Sequence, residues 1–131
     1  PQPPVPASQV LMHLLALRGA ITLQADTRSE VETQTQRLVK EMLARNDVAH
    51  DDLVSIIFTA TDDVTAEFPA AAARALGLGD VPLLCARELG IAGGMALCIR
   101  VLMHFYTERS RHELHHVYLE GARGLRDDLP E

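Results

Sequence analysis

"ALCIRVLMHFY", residues 96–106, decides how the rest of the chain is read. It is a run of strand-forming residues interrupted by one arginine, Arg100, set between Ile99 and Val101. Side chains alternate faces along a strand. Ile99, Val101, Met103 and Phe105 therefore share one wholly apolar face, and Cys98, Arg100, Leu102 and His104 share the other. A guanidinium in an apolar strand is costly unless an anion meets it. Either a carboxylate of the same chain, the commoner arrangement for a strand arginine, or an anionic ligand has to reach Arg100.

Working outward, residues 14–21, 51–61, 80–86 and 115–122 read as four more strands. An amphipathic helix is predicted over 29–45, with Val31, Leu38, Val39, Met42 and Leu43 on one face. Thr27 with Glu30, or Ser29 with Glu32, supplies a capping box. "FPAAAARALGLG", residues 68–79, is a short helix with Pro69 in its first turn and Gly77 at its end. Asp62 and Asp63 fall in a strand-ending turn and are expected to cap that helix. The order βαβαβββ predicts an α/β subunit of the α+β kind, a mixed sheet with two helices on one face. Residues 1–11 are set aside as a proline-rich flexible arm, leaving 12–131 as one domain. The tail "RGLRDDLPE", 123–131, is expected to be loosely ordered.

Composition narrows the function classes. The chain has 131 residues and a net charge of −6, without the basic stripe of a nucleic-acid binder. Its basic residues are eleven arginines and a single lysine, Lys40. That bias suits bidentate recognition of carboxylate or phosphate. Two cysteines without paired spacing read as reduced thiols of a cytoplasmic protein. No window holds the ~18 apolar residues that suggest a membrane span. With five aromatics and no Trp, the core rests on Leu, Val, Ile and Ala. A monomer of this size buries roughly two-thirds of its unfolded surface, which favours an oligomer.

Few residues point to chemistry. Arg18 closes an apolar run just before Gly19, Glu88 directly follows the third strand, and His116, Tyr118 and Glu120 share a face of the fifth. "HELHH" has a metal-like His spacing without a third ligand, Cys85 has no histidine partner in sequence, and "AGG" lacks a phosphate-loop context.

"LRGAITLQADTRSEV", "TATDDVTAEFPAAAAR", "VPLLCARELGIAGGMALCIRVLMH" and "HHVYLEGARGLRDDL" together resemble the monofunctional chorismate mutases of the AroH class. The resemblance runs from about residue 13 to 129, almost the whole chain. It implies a homotrimer built as a pseudo-α/β-barrel, with active sites at the subunit interfaces, and conversion of chorismate to prephenate without a cofactor or metal. Arg100 then matches the donor to the ether oxygen and side-chain carboxylate. Arg18 and Tyr118 match residues that grip that carboxylate, and Glu88 with Cys85 beside it the pair that holds the ring hydroxyl. Phe68 and Arg74 would reach in from a neighbouring subunit, and Leu125 and Arg126 would close the mouth. The chain departs from the family in having Ala71 where a lysine is frequent and in a turn shortened at "LGLGDVP". Two rivals use the same arginines: a non-catalytic trimeric module that binds small carboxylates, and a small-molecule deaminase or hydrolase, which would need a residue to position water.

Overall fold

Strand β4 (Cys98–Thr107) is central because long neighbours on both sides satisfy its backbone. β1 (His13–Thr22) runs antiparallel to it over ten residues, from His13 opposite Thr107 to Thr22 opposite Cys98. β2 (Leu53–Ala60) is antiparallel on the other side. β3 (Leu83–Arg87) adds parallel to β2, and β5 (Val117–Leu119) parallel to β1. The result is a mixed five-stranded sheet in the order β3-β2-β4-β1-β5. The computed structural model of the chain describes residues 11–125. Residues 1–10 of the proline-rich arm and the tail from Arg126 lie outside the described residues.

Two helices cover one face and pack on each other: α1 (Arg28–Arg45) lies against β1, and α2 (Pro69–Ala73) against β3. Val31, Thr35, Leu38, Val39 and Met42 are the buried stripe of α1, at helical spacing. Thr27, not Ser29, is its cap: the hydroxyl accepts the Glu30 N–H, while the Glu30 carboxylate takes that of Gln24. In α2, Pro69 occupies the first position, where its missing N–H is one that would be unpaired anyway. Gly77, at φ 93°, ends the wide turn after it, in a region where a side chain is strained.

The apolar face read from β4 is the core. Ile99, Met103 and Phe105 are fully buried with Leu17 and Ile21 of β1 and Ile56 and Phe58 of β2, beneath Leu38, Val39 and Met42. Gly19 lets α1 come this close, since a Cβ there would stand 2.4 Å from the Met42 sulfur.

Strand limits differ from the sequence reading for backbone reasons. β1 runs from His13 to Thr22, one residue beyond 14–21 at each end. The fourth strand begins at Cys98 rather than residue 96. Residues 50–52 form a 3-10 turn instead of opening β2. Pro82 lacks an N–H and contributes only its carbonyl, to Ile56, so β3 begins at Leu83. The fifth strand, expected over 115–122, keeps only Val117–Leu119. Glu120 turns to φ 54° and leads into a 3-10 turn over Glu120–Gly124.

Candidate active site

The helix-free face gathers the charged residues by register. Arg100 on β4 stands opposite Thr59 on β2 and Ala20 on β1, and Ala20 is in turn opposite Tyr118 on β5. Arg18 lies two residues before Ala20, on the same face. Arg18, Arg100 and Tyr118 line one concavity of about 280 Å³, together with Gly19, Ile57, Thr59 and Leu102. Tyr118 is 7% exposed and packs with Ala20, Cys98 and Ala122, and Leu125 rests against that cluster.

A three-residue edge strand needs outside support to hold Tyr118. Buried Asn46, at the end of α1, donates to the carbonyls of Met42 and His115 and accepts the His115 N–H. His116 Nδ1 accepts the backbone N–H of Arg18 at 2.9 Å. Burial holds the His116 ring below its ordinary pKa and so favours the neutral imidazole, and the Arg18 N–H selects the form in which Nδ1 is the acceptor.

The anion that meets Arg100 is Glu88. Its N–H extends the β2–β3 pairing by donating to Ala60. Its carboxylate accepts the Thr59 hydroxyl at 2.5 Å and lies 3.2 Å from Arg100 Nε. Both residues also border a concavity of about 460 Å³ beside Leu89, Ile91 and Met95. The buried Cys98 thiol titrates high because of its burial, against the opposing pull of Arg100.

The remaining candidates lie apart. Cys85 is in register with Phe58, whose side chain is in the core, so Cys85 points to the helix-covered side. It lines a different concavity of about 460 Å³, with Phe68, Pro69 and Glu67. The expected pairing of Cys85 with Glu88 is therefore not formed within one subunit. Phe68 is 67% exposed at the rim of that second concavity. Arg74 is exposed just after α2 and lines neither one. Arg126 lies outside the described residues.

Asp62 and Asp63 do not cap α2, whose cap position is Phe68 without a side-chain bond. Asp62 faces Arg87 at 3.3 Å, and Asp63 accepts the N–H of Leu97. Sequence reasoning misses Thr59, although alternation along "SIIFT" places it at the polar end of the same face as Arg100. Among the described residues no group of three or more His, Cys, Asp or Glu could hold a metal ion, the "HELHH" segment included.

The family model for chorismate mutase type I matches residues 14–129. The chorismate mutase AroH of Thermus thermophilus is 42% identical over 114 residues, covering 86% of this chain and 93% of that protein. Its counterpart in Bacillus subtilis is 38% identical over 119 residues, covering 90% and 94%. The chain belongs to the type I chorismate mutase family. A solved chorismate mutase from Clostridium thermocellum superposes with a TM-score of 0.82 at 44% identity, over 83% of this chain and 97% of its own. The chorismate mutase match takes in every candidate residue named above, Arg18 through Arg126. No helix among the described residues is long and apolar enough to cross a membrane.

Proposed function

We propose that the protein is an isomerase that rearranges chorismate to prephenate, a step toward phenylalanine and tyrosine, using the helix-free face of its sheet. The observation that carries this reading is one concavity lined by Arg18, Arg100 and Tyr118, with Glu88 held on Arg100, in a chain of the chorismate mutase family. Chorismate is a dianion with a ring hydroxyl and an enolpyruvyl ether. Its [3,3] shift breaks the ether C–O bond as a C–C bond forms, and no proton moves. Catalysis therefore asks for the compact conformer, held dry, and for positive charge where the ether oxygen becomes negative.

A guanidinium carries five donors in a fork. Arg100 can keep Glu88 on Nε while its terminal nitrogens meet the ether oxygen and a carboxylate. Arg18 and Tyr118 hold the same carboxylate, and Glu88 takes the ring hydroxyl. One preorganised donor supplies roughly 3–4 kcal/mol. A modest enzyme lowers its barrier by about 8 kcal/mol, so conformer selection has to supply the rest.

The site is completed, on this reading, by a second subunit of a homotrimer. The helix-free face exposes Leu14, Leu84 and Tyr106 and half-buries Ile57 and Leu102, an apolar surface that a neighbour can cover. Phe68, Cys85 and Arg74, which one subunit keeps away from Arg100, would then be brought to it by the neighbour. Leu125 and Arg126 would close the mouth. Two unpaired cysteines suit a reducing compartment such as the cytoplasm.

Purified protein mixed with chorismate tests the reading. Substrate loss with appearance of prephenate is expected from the wild type and not from Arg100→Ala. A folded wild type without turnover rejects it in favour of a carboxylate-binding module.

A further inference from the structure

We propose that Asp63 is a positioning residue for the Arg100–Glu88 pair: it holds Leu97 in the left-handed backbone conformation and so fixes where β4 begins. The inference rests on the proposed roles of Arg100 and Glu88. Leu97 has φ 48°, a conformation that a bulky side chain adopts only under constraint. Such outliers persist where the surroundings over-determine them, and they concentrate at functional sites.

The surroundings here are specific. Both carboxylate oxygens of Asp63 accept the Leu97 N–H, at 2.9 and 3.1 Å. One of them also accepts the Thr61 hydroxyl at 2.5 Å, which orients that hydroxyl to accept the Cys98 N–H at 3.0 Å. Thr61 N–H donates to the Cys98 carbonyl, and Leu23 N–H to that of Leu97. The segment carrying Asp63 is itself anchored, because Asp26 accepts from the Thr65 and Ala66 backbone and the Thr65 hydroxyl. The Thr61 hydroxyl and the Leu97 N–H keep the Asp63 carboxyl ionised below the usual range.

Leu97 is three residues before Arg100 and closes the loop that starts at Glu88. That loop contains Gly90, Gly93 and Gly94, which do not stiffen it. Its far end is set by Asp63 and its near end by the Glu88 bond to Ala60. Without the clamp Leu97 relaxes to negative φ, and the start of β4 shifts relative to Glu88. A misplacement of about 1 Å costs on the order of 100-fold in rate.

The test is a double-mutant cycle on chorismate turnover, since glycine takes φ 48° without strain. Asp63→Ala is expected to lower kcat/KM by about 10- to 100-fold, mostly through kcat. In a Leu97→Gly background the same change should cost at least about fivefold less, the mark of coupled residues. No loss in the wild-type background, or equal losses in both, overturns the proposal. If Asp63→Ala does not fold alone, refolding is the test: a folded Asp63→Ala/Leu97→Gly pair supports the coupling, and a pair that also stays unfolded overturns it. A wild type without turnover counts against the proposed function instead. Amide hydrogen exchange then decides this inference: Asp63→Ala must speed exchange at Leu97 and Cys98, and unchanged rates overturn it.

Discussion

The two faces of β4 are built to different standards. Ile99, Val101, Met103 and Phe105 are at most 4% exposed and packed by two helices. One residue out of phase, Arg100 is exposed, Leu102 and His104 are half-buried, and the strand's end carries exposed Tyr106. The helix side is finished within one chain. The open side has an ion pair, a concavity and apolar residues still in contact with water. On the proposed function one strand serves stability on one face and catalysis on the other, and substitutions should separate the two.

The largest expected effect is on the open face. Arg100→Ala should lower kcat by about 10²–10³-fold, the usual cost of losing a preorganised donor at a developing negative charge. Its melting temperature should stay near that of the wild type, because the side chain is exposed. A matching fall in stability would break the division between faces. On the other side, Met103→Ala should cost about 2–5 kcal/mol in urea unfolding through a core cavity. Turnover per folded molecule should survive, and its loss would show that the faces are coupled.

Leu84→Glu sharpens the reading of the open face as an interface. Leu84 is 60% exposed, so the subunit should still fold. A charge buried against a neighbour is costly. If the protein is the proposed trimer, sedimentation should then show it dissociating and activity falling with it, whereas an unchanged active oligomer would place the interface elsewhere.

Two smaller effects belong to the helix side and the edge. The buried Thr35 hydroxyl has no hydrogen-bond partner among the described residues. Thr35→Val removes the unsatisfied group and should gain about 1 kcal/mol in the same unfolding measurement. Burial lowers the His116 pKa from its ordinary 6.5, so the unfolded chain takes up the proton first. Its contribution is complete above pH 6.5 and is lost as the pH falls below that value. His116→Gln should flatten the dependence of melting temperature on pH between about 7 and 5, and an unaltered slope would remove His116 from the support of β5.

Much of this was legible in advance because it rests on local rules. The alternation in β4, the stripe of α1 and Pro69 at the start of α2 depend only on neighbours in sequence. So does the placement of Arg100 and Tyr118 on polar faces, and the family resemblance placed the candidate residues over the whole chain. The misreadings share one origin. Asp63 next to a coming helix looks like a cap, and its real partner, Leu97, is 34 positions away. Residues 115–122 look like one strand, yet the strand ends at Leu119 and Glu120 pairs with Arg37, 83 positions away.

The sequence by itself determined the element order, the core face and the pool of residues able to meet a dianion, since periodicity and chemistry are properties of short stretches. Only the tertiary structure decided that Glu88 is the anion on Arg100, that Arg18, Arg100 and Tyr118 share one concavity, and that Phe68 and Cys85 lie apart from them. Those outcomes depend on register between strands far apart in sequence. The packing of the whole core selects that register, and no local pattern encodes it.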